Sequence, residues 1–204
     1  MVRSEEFESP TAGTARTNAK LFDFVVKKIK ENERIKLYFI GGIRSYNLYD
    51  LVDIQYLFWK KKKFVRSIFL KKFANIDELI EYVDVSKEID LKVKISIVRK
   101  YLNYNIRELI KVIENHISQA QNADYILTTG HKSKGLEWDK VQILNDFVNL
   151  KEEIRDNGEA IVKQEELNLL YVAITRSKNK LLIHKDYLLD KEFLRKNRHL
   201  IKIV

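Results

Sequence analysis

"TTGHKSKGLEWDKVQIL", residues Thr128–Leu144, sets a histidine, two lysines, a glycine and a glutamate between two apolar runs. The flanking "YILTT" and "KVQIL" read as short strands, so the charged residues fall on the connection that joins them. A connection that needs only to be soluble has no reason to hold a His, a Lys-Gly pair and a Glu in that order. The question is whether the rest of the chain supplies partners for them.

Working outward, residues 1–11 read as a polar leader, with a break at Gly13. "RTNAKLFDFVVKKIKEN" then has apolar residues at 21, 22, 25, 26 and 29, which is helical spacing, with Thr17 or Asn18 available as cap. "RIKLYFIGG" reads as a strand ending in a glycine pair. From 45 to 122 the pattern is helical: "SYNLYDLVDIQYLFWK", a basic helix near 64–73, "NIDELIEYV" with Asn75 and Glu78 at capping-box spacing, and helices around 88–102 and 106–121. Beyond the quoted stretch come a polar segment at 149–162, the helix "QEELNLLYVAITRS", the strand "KLLIH" and a basic tail. The expectation is an α/β domain, residues 12–44 and 123–204, interrupted by a small all-helical insertion at 45–122. Strands alternating with helices imply a mostly parallel sheet covered on both faces, with ligands at the loops beyond the carboxyl ends of its strands.

Composition bounds the chemistry. The chain has 204 residues, 45% of them hydrophobic, enough for a packed core. Lys+Arg exceed Asp+Glu by 38 to 29, a surplus that favours a polyanionic partner. There are no cysteines, so disulfides and thiolate metal sites are excluded. Histidines 116, 131, 184 and 199 lack ligand spacing, and no metal site is expected on this chain. No signal-peptide pattern and no uncharged apolar run approaching a membrane span of about 20 residues is present. The expected setting is intracellular, cytoplasmic at the nucleoid or nuclear, with no membrane partner.

Three residues from distant parts of the chain suggest a nucleotide site. Arg16 follows the first apparent strand, Glu137 lies in the opening connection, and Arg176 ends the helix "LLYVAITR". If their strands are neighbours, all three converge at one edge of the sheet. Two planar, permanently charged guanidinium groups suit a phosphate whose negative charge grows during transfer, and a glutamate can accept hydrogen bonds from ribose hydroxyls.

The combination resembles a known family. "TTGHKSKGLEWDKVQIL" is similar to motif V of UvrD/Rep-type superfamily 1 helicases, of the form T-x-H-x-x-K-G-L-E-[FW]. "EELNLLYVAITRSKNKLLI" resembles their motif VI, "ARTNAKLF" their motif IV, and "GGIRSYNLYDLVD" the Gly-Gly motif that follows, all in family order. "DLKVKISIVRKYLNYNIREL" and the "NDF" after motif V resemble the F-box DNA helicase branch, although no F-box lies in this chain. The resemblance implies the second RecA-like domain (2A) of an ATP-dependent 3′–5′ DNA helicase, with a reduced 2B insertion and a connection to DNA repair. It implies Arg16 and Arg176 as arginine fingers on the γ-phosphate and Glu137 on the ribose. Thr129 and His131 would meet single-strand phosphates, with Lys134 and Gly135 shaping the turn.

The chain departs from the family at Ala15, where an aromatic commonly stacks on adenine, and at Asn168, where many relatives have arginine. No G-x-x-x-x-G-K-[ST] occurs, so there is no phosphate cradle and no P-loop lysine. ATP and its Mg²⁺ are therefore expected to be shared with a first RecA-like domain supplied in cis or in trans, on single-stranded DNA and single-strand/duplex junctions. The chain alone is expected to be inactive as an ATPase. The alternative is a non-catalytic DNA- or partner-binding module derived from a truncated helicase. "WKKKKFVRSIFLKKF", residues 59–73, carries seven Lys/Arg and no acid. It reads either as a track for nucleic-acid phosphates or as a solvated face whose Phe64, Ile68 and Phe69 enter the core of the insertion.

Overall fold

The computed structural model describes residues 9–148, 164–184, 187 and 201–203. Its sheet is built on β1 (Thr11–Ala15), whose sequence TAGTA is buried at every position. Side chains this small let both faces be covered closely, and a strand buried on both faces must give its backbone groups to neighbours on both sides. β1 pairs in parallel with β3 (Tyr125–Thr129) and with β4 (Trp138–Ile143). With β2 (Leu37–Phe39), β5 (Ser177–Ile183) and β6 (Ile201–Ile203) the order is β2-β3-β1-β4-β5-β6, and every described pairing is parallel. The fold is the α/β, RecA-like parallel sheet with flanking helices that the sequence implies. The break expected at Gly13 is instead mid-strand, opposite Leu127 and Gln142. Small and hydroxylated residues carry no hydrophobic run, so the central strand leaves little trace in the pattern.

Register sets Ala12, Ile126, Val141 and Leu181 on one face of the sheet. α6 (Gln164–Ile174) brings Leu169, Leu170 and Ala173 to the core on that face, and Phe147 and Tyr187 close it. The Tyr187 hydroxyl accepts from Phe147 N at 3.0 Å and reaches the Leu144 carbonyl at 3.1 Å, so the loop after β4 is pinned by a buried phenol.

By compactness, residues 1–16, 36–40 and 118–204 form one unit and 17–35 with 41–117 another. The second unit holds α1 (Asn18–Glu31), α2 (Tyr49–Phe58), α3 (Ile76–Ser86), α4 (Ile89–Lys100) and α5 (Ile106–Asn115). Thr17 caps α1, its hydroxyl accepting from Lys20 N at 3.2 Å. α1 is tied to the end of α4 through Asp23, which accepts from the Lys100 ammonium and from the Tyr101 hydroxyl, while the Phe22 and Tyr101 rings meet edge-on at 5.5 Å. Gln55 uses both ends of its amide, donating to Tyr104 O at 2.7 Å and accepting from Ile106 N at 3.2 Å, which fixes the entry to α5.

Three local expectations change. The basic helix near 64–73 is two separate 3₁₀ turns, Lys62–Phe64 and Leu70–Lys72. The cause is Asp53, whose buried carboxylate takes the backbone N–H groups of Arg66 and Ser67 at 3.1 and 2.7 Å, diverting donors that a helix needs for its own carbonyls. Asn75 caps α3 as expected, but Glu78 returns to Ala74 N rather than to Asn75 N. α5 stops at Asn115, and Ser118 N already bonds to the Leu37 carbonyl at 2.8 Å.

Two stability effects follow. A Cβ at Gly130 would stand 2.8 Å from Leu169 Cδ1 and 3.3 Å from Phe147 Cε1, both in the buried cluster. Gly130→Ala is expected to lower stability by about 1–3 kcal/mol in urea denaturation, because the core must shift to admit one methyl. For Asp23, burial pushes the carboxyl pKa up, but hydrogen bonds from Lys100 and Tyr101 and the nearby ammonium groups outweigh it and the net shift is downward. A depressed folded pKa contributes stability that is present above the unfolded carboxyl value and is lost as pH falls through the folded one. Denaturation midpoints should therefore fall on acidification, and Asp23→Asn should flatten that acid limb while lowering the midpoint at neutral pH.

Candidate functional site

The parallel sheet has a carboxyl edge and an amino edge, and the candidate residues divide between them. At the carboxyl edge, Arg16 is the first residue beyond β1. Its backbone N–H donates to Asp146 Oδ1 at 2.9 Å. Its guanidinium forms a fork on Glu166, Nε to Oε2 at 3.0 Å and Nη2 to Oε1 at 2.7 Å, with both side chains less than one-fifth exposed. Glu166 lies in the first turn of α6, where the helix dipole favours a carboxylate.

Thr129 ends β3 at the same edge and is buried. Its hydroxyl accepts from Lys132 N at 3.4 Å, and its carbonyl accepts from Ser133 N at 2.9 Å. Ser133, fully buried, closes the turn with its hydroxyl on the Gly130 carbonyl. These bonds coil residues 130–135 into a compact turn that leaves His131 and Lys134 exposed. Gly135 leaves the turn at φ +82, a backbone conformation that L side chains rarely adopt, which accounts for glycine at this point.

Glu137 stands at the other end of this connection, immediately before β4. It is exposed and 3.7 Å from the Lys178 ammonium, a surface pair that contributes little to stability. Arg176, two residues beyond α6, precedes β5, and its carbonyl accepts from Trp138 N at 2.9 Å. Its guanidinium donates to three neutral oxygens: Nε to Val172 O at 2.9 Å, Nη1 to Leu136 O at 3.2 Å and Nη2 to Thr175 Oγ1 at 3.1 Å. No carboxylate pairs with it among the described residues, so its orientation is fixed while its charge is uncompensated by a direct partner. A guanidinium has five N–H donors. Two of them remain for an incoming anion.

The structure therefore brings Glu137 and Arg176 together and does not place Arg16 with them. Thr14 is level with Ile143 and Trp138 with Ser177, so about eight residues of strand, roughly 25 Å at ~3.3 Å per residue, separate the level of Arg16 from that of Glu137. α6 gives a second ruler: the ten residues from Glu166 to Arg176 span about 15 Å of helix. The single edge expected from sequence is replaced by two because the eight residues after Thr129 carry the chain from one edge to the other before β4 begins. Sequence reading also passed over the residues that hold Arg16. Glu166 and Asp146 both lie inside quoted motifs, and their signal was an acid beside a helix start and another just after a strand.

Among the described residues no group of three or more His, Asp or Glu side chains could hold a metal ion. None of the described helices is long and apolar enough to cross a membrane.

Comparison with known proteins agrees with the motifs. A family model described as the UvrD-like helicase C-terminal domain matches residues 5–186. F-box DNA helicase 1 of Gallus gallus is 33% identical over 190 residues, covering 83% of this chain and 18% of the relative. F-box DNA helicase protein 1 of Schizosaccharomyces pombe is 48% identical over 61 residues, 29% of this chain and 7% of the relative. The chain thus spans less than a fifth of the length of these curated relatives.

The Arg16 fork is testable by itself. Glu166→Ala takes the carboxylate from a largely buried guanidinium and is expected to lower stability by about 1–3 kcal/mol in urea denaturation. Arg16→Lys should give a similar loss, because an ammonium cannot reproduce two parallel bonds.

Proposed function

We propose that this chain, which belongs to the UvrD-like helicase C-terminal domain family, supplies the arginine side of an ATP site completed by a first RecA-like domain in cis or in trans. The observation that carries the reading is Arg176, locked by neutral acceptors with charge and two N–H donors to spare. Such a group is preorganised for charge that develops elsewhere, and stabilises it without first having to be oriented. In this reading Glu137, beside it, accepts from the ribose hydroxyls. ATP and Mg²⁺ are held chiefly by the partner domain, which brings the P-loop that this sequence lacks.

Arg16 is proposed to meet a phosphate other than the one Arg176 meets, because Glu166, which holds its guanidinium, is about 15 Å of helix from Arg176, farther than one side chain extends. Its contribution requires exchange of Glu166 for that phosphate, whereas Arg176 is poised beforehand. Thr129 at the carboxyl edge, with His131 and Lys134 in the turn that follows it, is proposed to contact the phosphates of single-stranded DNA, the exposed His131 and Lys134 directly and Thr129 through the turn it organises. Alternating closure and reopening would then move the protein 3′ to 5′ along the strand and into a duplex junction, as repair of DNA requires.

The experiment is reconstitution with a polypeptide bearing Walker A and Walker B motifs. The unaltered chain should restore DNA-stimulated ATP hydrolysis. Arg176→Ala should lower kcat by about 10³-fold or more with little change in nucleotide affinity, as other arginine fingers do. His131→Ala with Lys134→Ala should instead weaken DNA binding and leave DNA-independent turnover in place. Equal kcat for the unaltered chain and Arg176→Ala would overturn the assignment. DNA binding with no restored hydrolysis would favour the non-catalytic module.

A further inference from the structure

The helical unit carries a surface of opposite sign that the nucleotide and strand reading does not use. Residues 76–90 hold six carboxylates and a single lysine, in a chain of net charge +9. Glu81, Asp84 and Glu88 form no ion pair among the described residues. Next to them opens a cavity of about 320 Å³, with Phe69, Leu70, Tyr82 and Leu91 as its apolar lining and Ser67 and Glu88 among its polar groups.

The cavity wall is built before any ligand arrives. The rings of Phe69, Phe73 and Tyr82 pack against one another with centroids 5.3 to 5.7 Å apart. The ammonium of Lys94 sits between Asp50 and Asp90 at 2.9 and 2.8 Å. Burial pushes the Lys94 pKa down, but the hydrogen bonds it donates to Asp90 and Asp50 more than offset this, so the group remains cationic and satisfies both carboxylates from within. Glu88 and the acids of α3 are left to face outward.

Next to its lining residues the protein exposes apolar side chains. Ile68, between the lining residues Ser67 and Phe69, is 83% exposed, and Val85, one helical turn beyond Tyr82, is 85% exposed. Ile89 follows Glu88 and is also exposed. Exposed apolar residues that adjoin the lining of a cavity mark an interaction surface. Arg66, Lys71 and Lys72 adjoin the lining residues Ser67, Phe69 and Leu70 on one side, and on the α3 side the unpaired carboxylates attract a cationic chain.

We propose that this cavity docks a basic peptide segment of a partner protein, which inserts one large apolar side chain against the Phe69–Tyr82 wall and lays its cations on Glu81, Asp84 and Glu88. The site is independent of the ATP site and of the strand-contacting turn.

The test is fluorescence anisotropy with the full 204-residue chain and a short labelled peptide amide carrying a Leu-Phe pair between Lys-Arg blocks. One control peptide has Glu in place of every Lys and Arg, and another has Ser-Ser in place of Leu-Phe. The basic anchored probe should bind at least about 10-fold more tightly than either control, and Ile68→Ser with Val85→Ser, or Glu88→Lys alone, should each cost about 10-fold. These positions are exposed, and circular dichroism confirms that the variants fold. Failure of the probe to bind, equal affinity for a control, or unaltered binding by the variants overturns the proposal. Self-association of the chain that Val85→Ser abolishes would assign the face to a second copy and overturn it as well.

Discussion

Parallel pairing of β1 on both sides is the constraint from which the rest of the sheet unit follows. A strand with no exposed residue cannot lie at an edge, and here β3 and β4 flank it in the same direction. Parallel neighbours oblige the chain to return across the sheet between them. Between β3 and β4 that return is the eight-residue connection 130–137. Fully extended, eight residues reach only about 26 Å, so the turn must descend from the carboxyl edge as it coils. Thr129 thus shares an edge with Arg16, Glu137 shares one with Arg176, and His131 and Lys134 lie on the connection between them.

What the sequence reveals follows from which interactions leave a period. β3 and β4 are apolar runs bounded by polar residues, and α1 repeats at helical spacing behind a threonine cap, so each was readable with the right type and nearly the right ends. β1 was only half readable because Thr-Ala-Gly-Thr-Ala is selected for small volume rather than hydrophobicity. The site residues were readable as types, since arginine, glutamate and a Lys-Gly turn keep a fixed order. Their grouping was not, because which edge a residue occupies depends on strand direction, and a single sequence does not print direction.

The helical unit shows the same limit in another form. Its backbone is steered by three polar side chains buried among apolar ones: Asp23 at the α4 terminus, Gln55 at the entry to α5, and Asp53 beneath the basic segment. Each bonds to groups 13 to 78 residues away in sequence. A periodicity search counts them as interruptions of a helix face. Asp53 has the largest effect: one carboxylate oxygen converts what would be a lysine-rich helix into two short turns and turns Phe64 and Ile68 outward. Of the three side chains that could enter the core there, Phe69 packs against Phe73 and Tyr82 while Phe64 and Ile68 stay half or more exposed.

The two arginines show how the same side chain can be made ready in opposite ways. Arg16 sits in a carboxylate fork, so its charge is compensated and any anion must compete with Glu166 for the same donors. Arg176 is held by a carbonyl of its own helix, a carbonyl of the connection and a hydroxyl, none of which compensates its charge. Its position just past the carboxyl end of α6 stabilises the cation through the helix dipole, as the start of the same helix stabilises Glu166. One helix of eleven residues thus sets the charge at both edges of the sheet. The end that pairs its arginine with an acid favours the resting protein, and the end that leaves its arginine with neutral partners keeps the stronger field for whatever arrives from outside.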